Sequence, residues 1–200
     1  MKIFSIAGKA DKRPLTYPFL KILALAGHTL VITDDPAYRR LYRGYEKEGE
    51  ICNIKITVIP ELSEDKIDPL ISAIGENEYD YIILITESFC YMEADACLCV
   101  CARNISFFGT KLDEFSEKYP EAKKVFMPIG VFDKKAWRNA ATMVLPWNDK
   151  NFSYIYSCEE AMTLLPFNDK LTLEILGVAF RQQMGLTERA FVKAAQRKLV

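Results

Sequence analysis

The segment that decides the fold is residues 1–26, MKIFSIAGKADKRPLTYPFLKILALA. Residues 2–7 form a short apolar run of strand length, and the polar residues 8–13 follow at once. From Leu15 to Ala26 apolar side chains recur at the spacing of one helix face, and Gly27 is placed to end that helix. A strand, a polar loop and a helix in this order are typical of the first unit of an open parallel sheet, where the loop is the usual phosphate site.

The rest of the chain repeats this alternation of strands and helices. Further strands are predicted at Thr29–Thr33, Asn53–Ile59, Tyr81–Ile85, Ala96–Ala102, Lys124–Val131 and, as a short candidate, Phe152–Tyr156. Further helices are predicted at Ser63–Ile74, Ser106–Lys118, Lys134–Val144, Asp169–Gln183 and Glu188–Lys198, and a short exposed helix and loop within Ala37–Glu50. Short connections between these elements predict a single α/β domain over residues 1–200, with a mostly parallel, doubly wound sheet flanked by helices. Residues 184–200 are predicted to form a C-terminal helical appendage.

The composition is that of a globular domain. Half of the 200 residues are hydrophobic, 26% are charged, and the formal net charge is -1. Because this charge gives no overall basic field, a nucleic-acid partner is not expected. No apolar run approaches the roughly 20 residues that span a bilayer. Six cysteines without an export signal predict reduced thiols and a cytoplasmic location.

Five segments carry a resemblance to a known family. Ile3–Lys9 resembles the opening strand of the MinD/ParA-like ATPases (deviant Walker, SIMIBI-type P-loop proteins), whose loop runs Lys-Gly-Gly-x-Gly-Lys-Thr. Thr29–Pro36, Tyr79–Thr86, Asp95–Val100 and Leu165–Asp169 resemble later segments of that family in the same order. The order gives the resemblance its specificity, because each motif alone is weak. It implies a P-loop NTPase-like domain, and the pilus-assembly TadZ/CpaE-like members are the nearest comparison.

The departures from the family pattern fall on its chemistry. Lys9 stands where the family has its signature lysine, but the glycines, the phosphate-binding lysine and the magnesium-binding hydroxyl correspond to Ala10, Asp11, Arg13, Pro14 and Leu15. The water-positioning and metal-side aspartates correspond to Thr33 and Ile85, and Gly130 replaces the asparagine that reads adenine. Pro14 also removes an N–H donor from the loop. The resemblance therefore implies a catalytically inactive pseudo-ATPase with no catalytic residues, no metal site and no expected cofactor.

Some residues near the loop remain candidates for a degenerate nucleotide site that would hold ATP and magnesium. They are Lys9, Lys12, Arg13, Thr16, Asp35 and Glu87. Lysine, arginine and a helix N-terminus attract phosphate, and carboxylates at the carboxyl ends of strands attract magnesium. A solvated basic loop and ordinary turn chemistry at Asp34-Asp35-Pro36 explain the same residues. The alternative function that these residues support is a nucleotide- or phosphate-handling enzyme with a rewired loop.

A second candidate is an aromatic and basic cluster after the second strand, formed by Tyr38, Arg39, Arg40, Tyr42, Arg43 and Tyr45. Tyrosine and arginine are enriched at protein–protein hot spots. They also stack on nucleic-acid bases, and a solvated helix face explains them equally well. With a near-neutral chain, a protein interface is the preferred interpretation over nucleic acid.

Two further patterns have structural interpretations. Cys97, Cys99 and Cys101 alternate on one strand at about 6.6 Å spacing, which fits poorly on one zinc ion and favours small buried hydrophobes. The helix in residues 188–200 is amphipathic, but its apolar face is small and rich in alanine, so burial is preferred to weak membrane contact.

Taken with the resemblance, these patterns predict a non-hydrolysing MinD/ParA-like protein that binds other proteins. It would be a scaffold or positioning component of a pilus, secretion or conjugation apparatus, and a homodimer is possible.

Overall fold

The structure, a computed structural model, describes residues 1–44, 46–75, 78–102, 118–127, 143–146 and 148–199. Its strands are β1 (Lys2–Ala7), β2 (Thr29–Thr33), β3 (Glu48–Ile51), β4 (Ile54–Val58), β5 (Tyr81–Thr86), β6 (Ala96–Ala102), β7 (Lys123–Met127) and β8 (Met143–Val144). Its helices are α1 (Arg13–Ala26), α2 (Ile67–Ser72), α3 (Asp149–Ala161), α4 (Lys170–Phe180) and α5 (Glu188–Gln196), with 3-10 turns at Pro36–Tyr42 and Glu64–Lys66.

The described strands form one sheet in the order β3-β4-β2-β5-β1-β6-β7-β8. Every pairing is parallel except that of β3 with β4. The central strands are apolar along their length, and residues 82–85 of β5 are completely buried. This is the pattern of a parallel sheet covered on both faces. The predicted mostly parallel, doubly wound sheet is confirmed.

Aromatic packing holds helices against one face of the sheet. The Phe19 ring on α1 stacks on the Phe180 ring of α4 with centroids 4.4 Å apart. Phe4 of β1 meets both rings edge-on, at centroid distances of 5.6 and 5.4 Å. These contacts place α1, and with it the loop that precedes it, against the middle of the sheet.

The C-terminal helix is part of this layer. Phe191 and Ala195 on α5 are buried in the same core cluster as α1 and α4, and α5 packs on α1. The Phe191 and Ala195 side chains on the apolar face of α5 are therefore packed inside the domain. Among the described residues, no helix has the length and apolar character required to cross a bilayer.

Two elements differ from the prediction. Phe152–Tyr156 lies within α3 and is not a strand, because the Asn148 side chain caps the helix and Asn151, Ile155 and Cys158 are buried at helical spacing. Strand β3 was missed because its hairpin turns at Cys52 and Asn53, both at positive φ (49° and 63°), and this pair lacks the glycine that usually marks such a turn.

Other predicted features lie outside the described residues. They include Tyr45, Gly130 and most of the predicted helices Ser106–Lys118 and Lys134–Val144. Residues 143–144, predicted as the end of the helix Lys134–Val144, are a third difference from the prediction, because they pair in parallel with Val125 and Phe126 of β7 and form strand β8.

Candidate functional site

The carboxyl ends of three neighbouring parallel strands meet at one edge of the sheet. β2, β5 and β1 lie side by side, so the residues that follow them, Asp34, Glu87 and Gly8, become neighbours. The Glu87 backbone N–H donates to Asp34 Oδ2 at 2.9 Å, and the Gly8 N–H donates to the Thr86 carbonyl at 3.0 Å. The predicted loop and the predicted carboxylates therefore belong to one site, at the edge where open parallel sheets bind ligands.

Gly8 fixes the direction in which the chain leaves β1. Its φ is +133°, and a Cβ at this position would lie 2.0 Å from the Val100 carbonyl oxygen on β6. Only glycine fits so close to another backbone at this φ. The strand-to-helix corner of a phosphate loop is thus present in its backbone, although the later glycines of the family pattern are absent.

Lys12 fills the inside of this corner. Its ammonium group donates to the Gly8 carbonyl at 2.7 Å and to the Ala10 carbonyl at 3.5 Å, and the residue is 1% exposed. A phosphate loop directs backbone N–H groups at an anion. Here the loop directs carbonyl oxygens at a cation that is part of its own sequence.

The first N–H groups of α1 are also engaged. The Arg13 N–H donates to Asp11 Oδ1 at 3.0 Å. The Leu15 and Thr16 N–H groups both donate to the Lys12 carbonyl, at 3.0 and 2.9 Å. Pro14 has no N–H to offer. The helix N-terminus therefore presents no free donor from residues 13–16 to a phosphate.

Carboxylates surround the buried ammonium group. Burial lowers the pKa of Lys12, and the charges of Glu87, Asp35, Asp34 and Asp11 oppose that shift. Burial likewise raises the pKa of Asp34, whose Oδ1 is buried without a hydrogen-bond partner. Arg13 pairs with Asp11, so Lys12 is left to face the three carboxylates of Glu87, Asp35 and Asp34. The edge is therefore locally acidic and repels the negative charges of a nucleoside triphosphate.

Arg13 is held away from the loop interior. Its Nε and Nη2 donate to the two carboxylate oxygens of Asp11 at 2.9 and 2.8 Å, and its Nη1 donates to Glu159 of α3 at 3.1 Å. Burial alone would raise the pKa of Asp11, but the hydrogen bonds from Arg13 lower this pKa below its ordinary value. Glu159 also accepts from the Tyr17 hydroxyl at 2.9 Å and pairs with Arg40 at 3.6 Å. This network joins the loop to α3 and to the 3-10 turn.

Thr16 and Tyr38 use their hydroxyl groups on each other. The two oxygens are 2.5 Å apart, and both residues are fully buried. Burial raises the pKa of Tyr38 well above its usual value. Thr16 therefore keeps no hydroxyl for magnesium, and Tyr38 belongs to the core. This corrects the prediction that Tyr38 is part of an interaction surface.

The rest of the aromatic and basic cluster is partly tied to the domain. The exposed Arg43 donates to the Glu160 backbone carbonyl, and the half-buried Tyr42 hydroxyl donates to the Glu46 carbonyl at 3.1 Å. Arg40 is exposed beside Glu159, and Arg39 is half-buried. Arg40 and Arg43 therefore form an exposed basic edge that borders α3.

The structure brings together Lys12, Arg13, Asp35 and Glu87, leaves Lys9 exposed and buries Thr16. Asp35 mainly caps the 3-10 turn, since it accepts from the Ala37 N–H at 2.8 Å.

The sequence patterns did not indicate Glu159, which lies 146 residues from Arg13 and belongs to no motif. Within the described ranges, no three His, Cys, Asp or Glu side chains are arranged to hold a metal ion.

Comparison with solved structures agrees with this architecture. No protein-family model and no curated protein matches the chain. A solved structure that is similar is the MinC:MinD cell division protein complex of Aquifex aeolicus, with a TM-score of 0.58 and 12% sequence identity. The match covers 94% of this chain and 97% of that chain. At this identity the likeness concerns the fold, and the chain has a MinD-like P-loop NTPase fold.

Proposed function

We propose that this chain is a catalytically inactive, MinD-like pseudo-ATPase that works as a protein-binding scaffold or positioning component of a larger assembly. The observation that carries the proposal is the hydrogen bond from Lys12 to the Gly8 carbonyl, which fills the phosphate loop with the chain's own side chain. The pilus, secretion or conjugation apparatus suggested by the sequence resemblance is the proposed setting.

The chemistry of the edge supports loss of ATP turnover. Ile85 is completely buried in β5 and has no oxygen for a metal ion, and Thr33 is buried where the family positions water with an aspartate. A triphosphate would have to displace Lys12 and approach the carboxylates around it, and the N–H groups of Arg13, Leu15 and Thr16 at the start of α1 are already engaged. Each of these steps costs free energy that a working phosphate loop does not have to supply.

Protein partners fit the exposed surface next to the filled loop. Phe152 and Tyr156 lie four residues apart on α3 and are 56% and 58% exposed. The same helix carries Glu159 and Glu160, which Arg40 and Arg43 contact. Exposed aromatic side chains beside arginines are the composition of a protein-binding hot spot. The similar solved structure is itself a complex of two proteins, which supports the same class of partner.

A thermal-shift experiment tests the loss of nucleotide binding. The wild-type chain is melted with ATP, ADP or GTP in the presence of magnesium, and no stabilisation is expected because no nucleotide binds the native state. A rise of several degrees that Lys9→Ala abolishes would overturn the proposal. That outcome would favour the alternative, a nucleotide-handling enzyme with a rewired loop.

A capture experiment tests the scaffold role. The tagged wild-type chain and a Phe152→Ser, Tyr156→Ser variant are cross-linked in the native host, and the captured proteins are quantified by mass spectrometry. If the chain is a scaffold that binds through α3, the double variant should no longer capture a defined set of partners. The control variant Lys9→Ala, changed at an exposed position of the loop, should still capture them. Identical capture by all three chains would argue against α3 as the binding surface.

A further inference from the structure

An open cavity lies between the first turns of α3 and the loop that leads into α4. Its volume is about 390 Å³, which is within the range of small-ligand sites. Its walls include Lys150, Asn151 and Tyr154 of α3 and residues 166–170. Among the described residues, it shares none with the edge around Lys12, so it is a separate site.

Asn151 is the unusual residue in this wall. It is 1% exposed, and neither polar atom of its side-chain amide has a hydrogen-bond partner among the described residues. Its backbone N–H donates to Asn148 Oδ1 at 2.9 Å, so the cap of α3 does not need the Asn151 side chain. Buried polar groups in native proteins are nearly always paired. An unpaired donor and acceptor beside a cavity therefore indicate a ligand that supplies both partners.

The same cavity lies at the beginnings of two helices. α3 begins at Asp149 and α4 at Lys170, and Lys150 and Lys170 both line the cavity. Asp169 brings a negative charge to the wall, but its Oδ2 accepts from the Thr172 N–H and hydroxyl at 2.9 and 2.7 Å. Two lysines and two helix N-termini therefore favour an anionic group in this cavity.

The floor of the cavity is held in place by contacts within the domain. The Tyr154 and Phe167 rings meet edge-on with centroids 4.6 Å apart, and the Tyr154 hydroxyl donates to the Leu165 carbonyl at 3.0 Å. The Phe167 N–H in turn donates to the Ala195 carbonyl of α5 at 2.9 Å. The cavity is therefore formed before a ligand binds, which lowers the entropic cost of binding.

A second cavity continues from the first along α3. Its volume is also about 390 Å³, it shares Lys150, Tyr154 and Pro166 with the first, and it reaches Ser157. The two cavities together form a groove along the helix. A groove of this shape fits a short extended chain better than a single ion.

We propose that this groove binds the C-terminal end of a partner polypeptide, with the terminal carboxylate between Lys150 and Lys170. The last peptide group, next to that carboxylate, supplies the N–H and the C=O that the Asn151 amide lacks. Ionised phosphate only accepts hydrogen bonds, so it would leave the Asn151 oxygen unpaired. The preceding residue lies in the second cavity. The assignment rests on the proposed protein-binding role and gives that role a class of partner, a protein with an accessible C-terminus.

Peptide capture by the full-length chain tests the site. The immobilised chain is incubated with short random-sequence peptides that end in a free carboxylate, or with the same peptides ending in an amide. Retained peptides are quantified by mass spectrometry. We expect about tenfold greater retention of the free carboxylates, because amidation removes the charge that the lysines attract. Equal retention of both sets would overturn the proposal.

Competitors separate a peptide from other ligands. Inorganic phosphate and AMP should not displace the peptides, because neither offers a peptide group next to a carboxylate. N-acetylglycine carries both groups but has no residue for the second cavity, so it should compete only weakly. Displacement by phosphate or AMP would overturn the proposal. Competition by N-acetylglycine equal to that of the peptides would replace the protein partner with a small N-acylated amino acid.

Two variants identify the groove residues. Asn151→Leu should retain about tenfold less peptide but melt at least as high as the wild type, since it removes an unpaired amide. An asparagine with a purely structural role would instead lose stability and leave the preference for free carboxylates unchanged. Lys150→Gln, Lys170→Gln, altered at exposed positions, should fold and bind several-fold less at low salt, whether or not Asn151→Leu folds. Unchanged retention in either folded variant would overturn the site.

The variant Phe152→Ser, Tyr156→Ser separates this groove from the exposed aromatic surface of α3. It should retain the free-carboxylate peptides as the wild type does, because neither residue lines the two cavities. Loss of retention in this variant, with retention kept in Asn151→Leu, would overturn the groove and leave the aromatic surface as the protein-binding site.

Discussion

The ammonium group of Lys12 lies 2.7 Å from the carbonyl oxygen of Gly8, four residues earlier in the same loop. Gly8 has a positive φ at the end of β1, and the buried Lys12 side chain fills the inside of the loop that follows. The backbone corner and its filling are therefore two separable features. The first belongs to the fold, and the second belongs to this sequence.

Replacing Lys12 by methionine should destabilise the chain. The variant keeps the aliphatic volume but leaves the Gly8 carbonyl without its donor and the nearby carboxylates without a counter-charge. We expect the free energy of unfolding to fall by about 1–3 kcal/mol, measured by urea denaturation. Lys9→Met, at an exposed neighbouring position, is the matched control and should be neutral. Equal stability of the two variants would show that the Lys12 contacts contribute nothing.

Thr16 and Tyr38 should be energetically coupled. Thr16→Val and Tyr38→Phe each leave one buried hydroxyl without its partner, so each should cost about 1–2 kcal/mol of unfolding free energy. The double variant removes both hydroxyls, and its cost should be smaller than the sum by about 1 kcal/mol. The double-mutant cycle is measured by urea denaturation. Strict additivity would mean that the 2.5 Å contact does not contribute to stability.

Glu159 should matter more than its neighbour Glu160. Its carboxylate contacts Arg13, Tyr17 and Arg40, and its side chain is only 13% exposed. Glu159→Gln should lower the free energy of unfolding by about 1–3 kcal/mol, because hydrogen bonds to a buried charge are stronger than neutral ones. Glu160→Gln is the control, since Arg43 contacts only the Glu160 backbone carbonyl. Thermal melts of both variants measure the loss of stability, and an equal loss in Glu159→Gln and Glu160→Gln would contradict the network around Glu159.

Local patterns predicted the elements whose signals are local. Thr29–Thr33 and Ala96–Ala102 are apolar runs bounded by turn residues, and their predicted limits are confirmed. The acidic edge was also predictable, because the carboxyl ends of parallel strands share one side of the sheet. Asp35 and Glu87 follow β2 and β5, and both face Lys12.

The filling of the site was not predictable, because it depends on contacts between distant segments and on side-chain direction. A lysine in a polar loop is typical of a solvated position, and nothing in the sequence indicates that Lys12 turns inward. Glu159 of α3 contacts Arg13, and Tyr38 of the 3-10 turn contacts Thr16, although no motif connects these segments to the start of α1. These contacts join segments that are far apart in the chain, so periodicity and residue spacing do not predict them.

Lys21 should make stability depend on pH in the alkaline range. Burial lowers the pKa of Lys21 from 10.5 to about 8, and its ammonium group donates to the Leu164 carbonyl at 3.0 Å. Between these two pH values the unfolded chain binds more protons at this residue than the folded chain does, so raising the pH favours folding. The contribution of Lys21 to the free energy of unfolding should rise by up to about 1.4 kcal/mol per pH unit. Lys21→Met removes the titrating group, so the free energy of unfolding of the wild type should rise relative to that of the variant from pH 8 to pH 10. Urea denaturation at several pH values measures both curves, and parallel curves would show that Lys21 keeps its ordinary pKa in the folded chain.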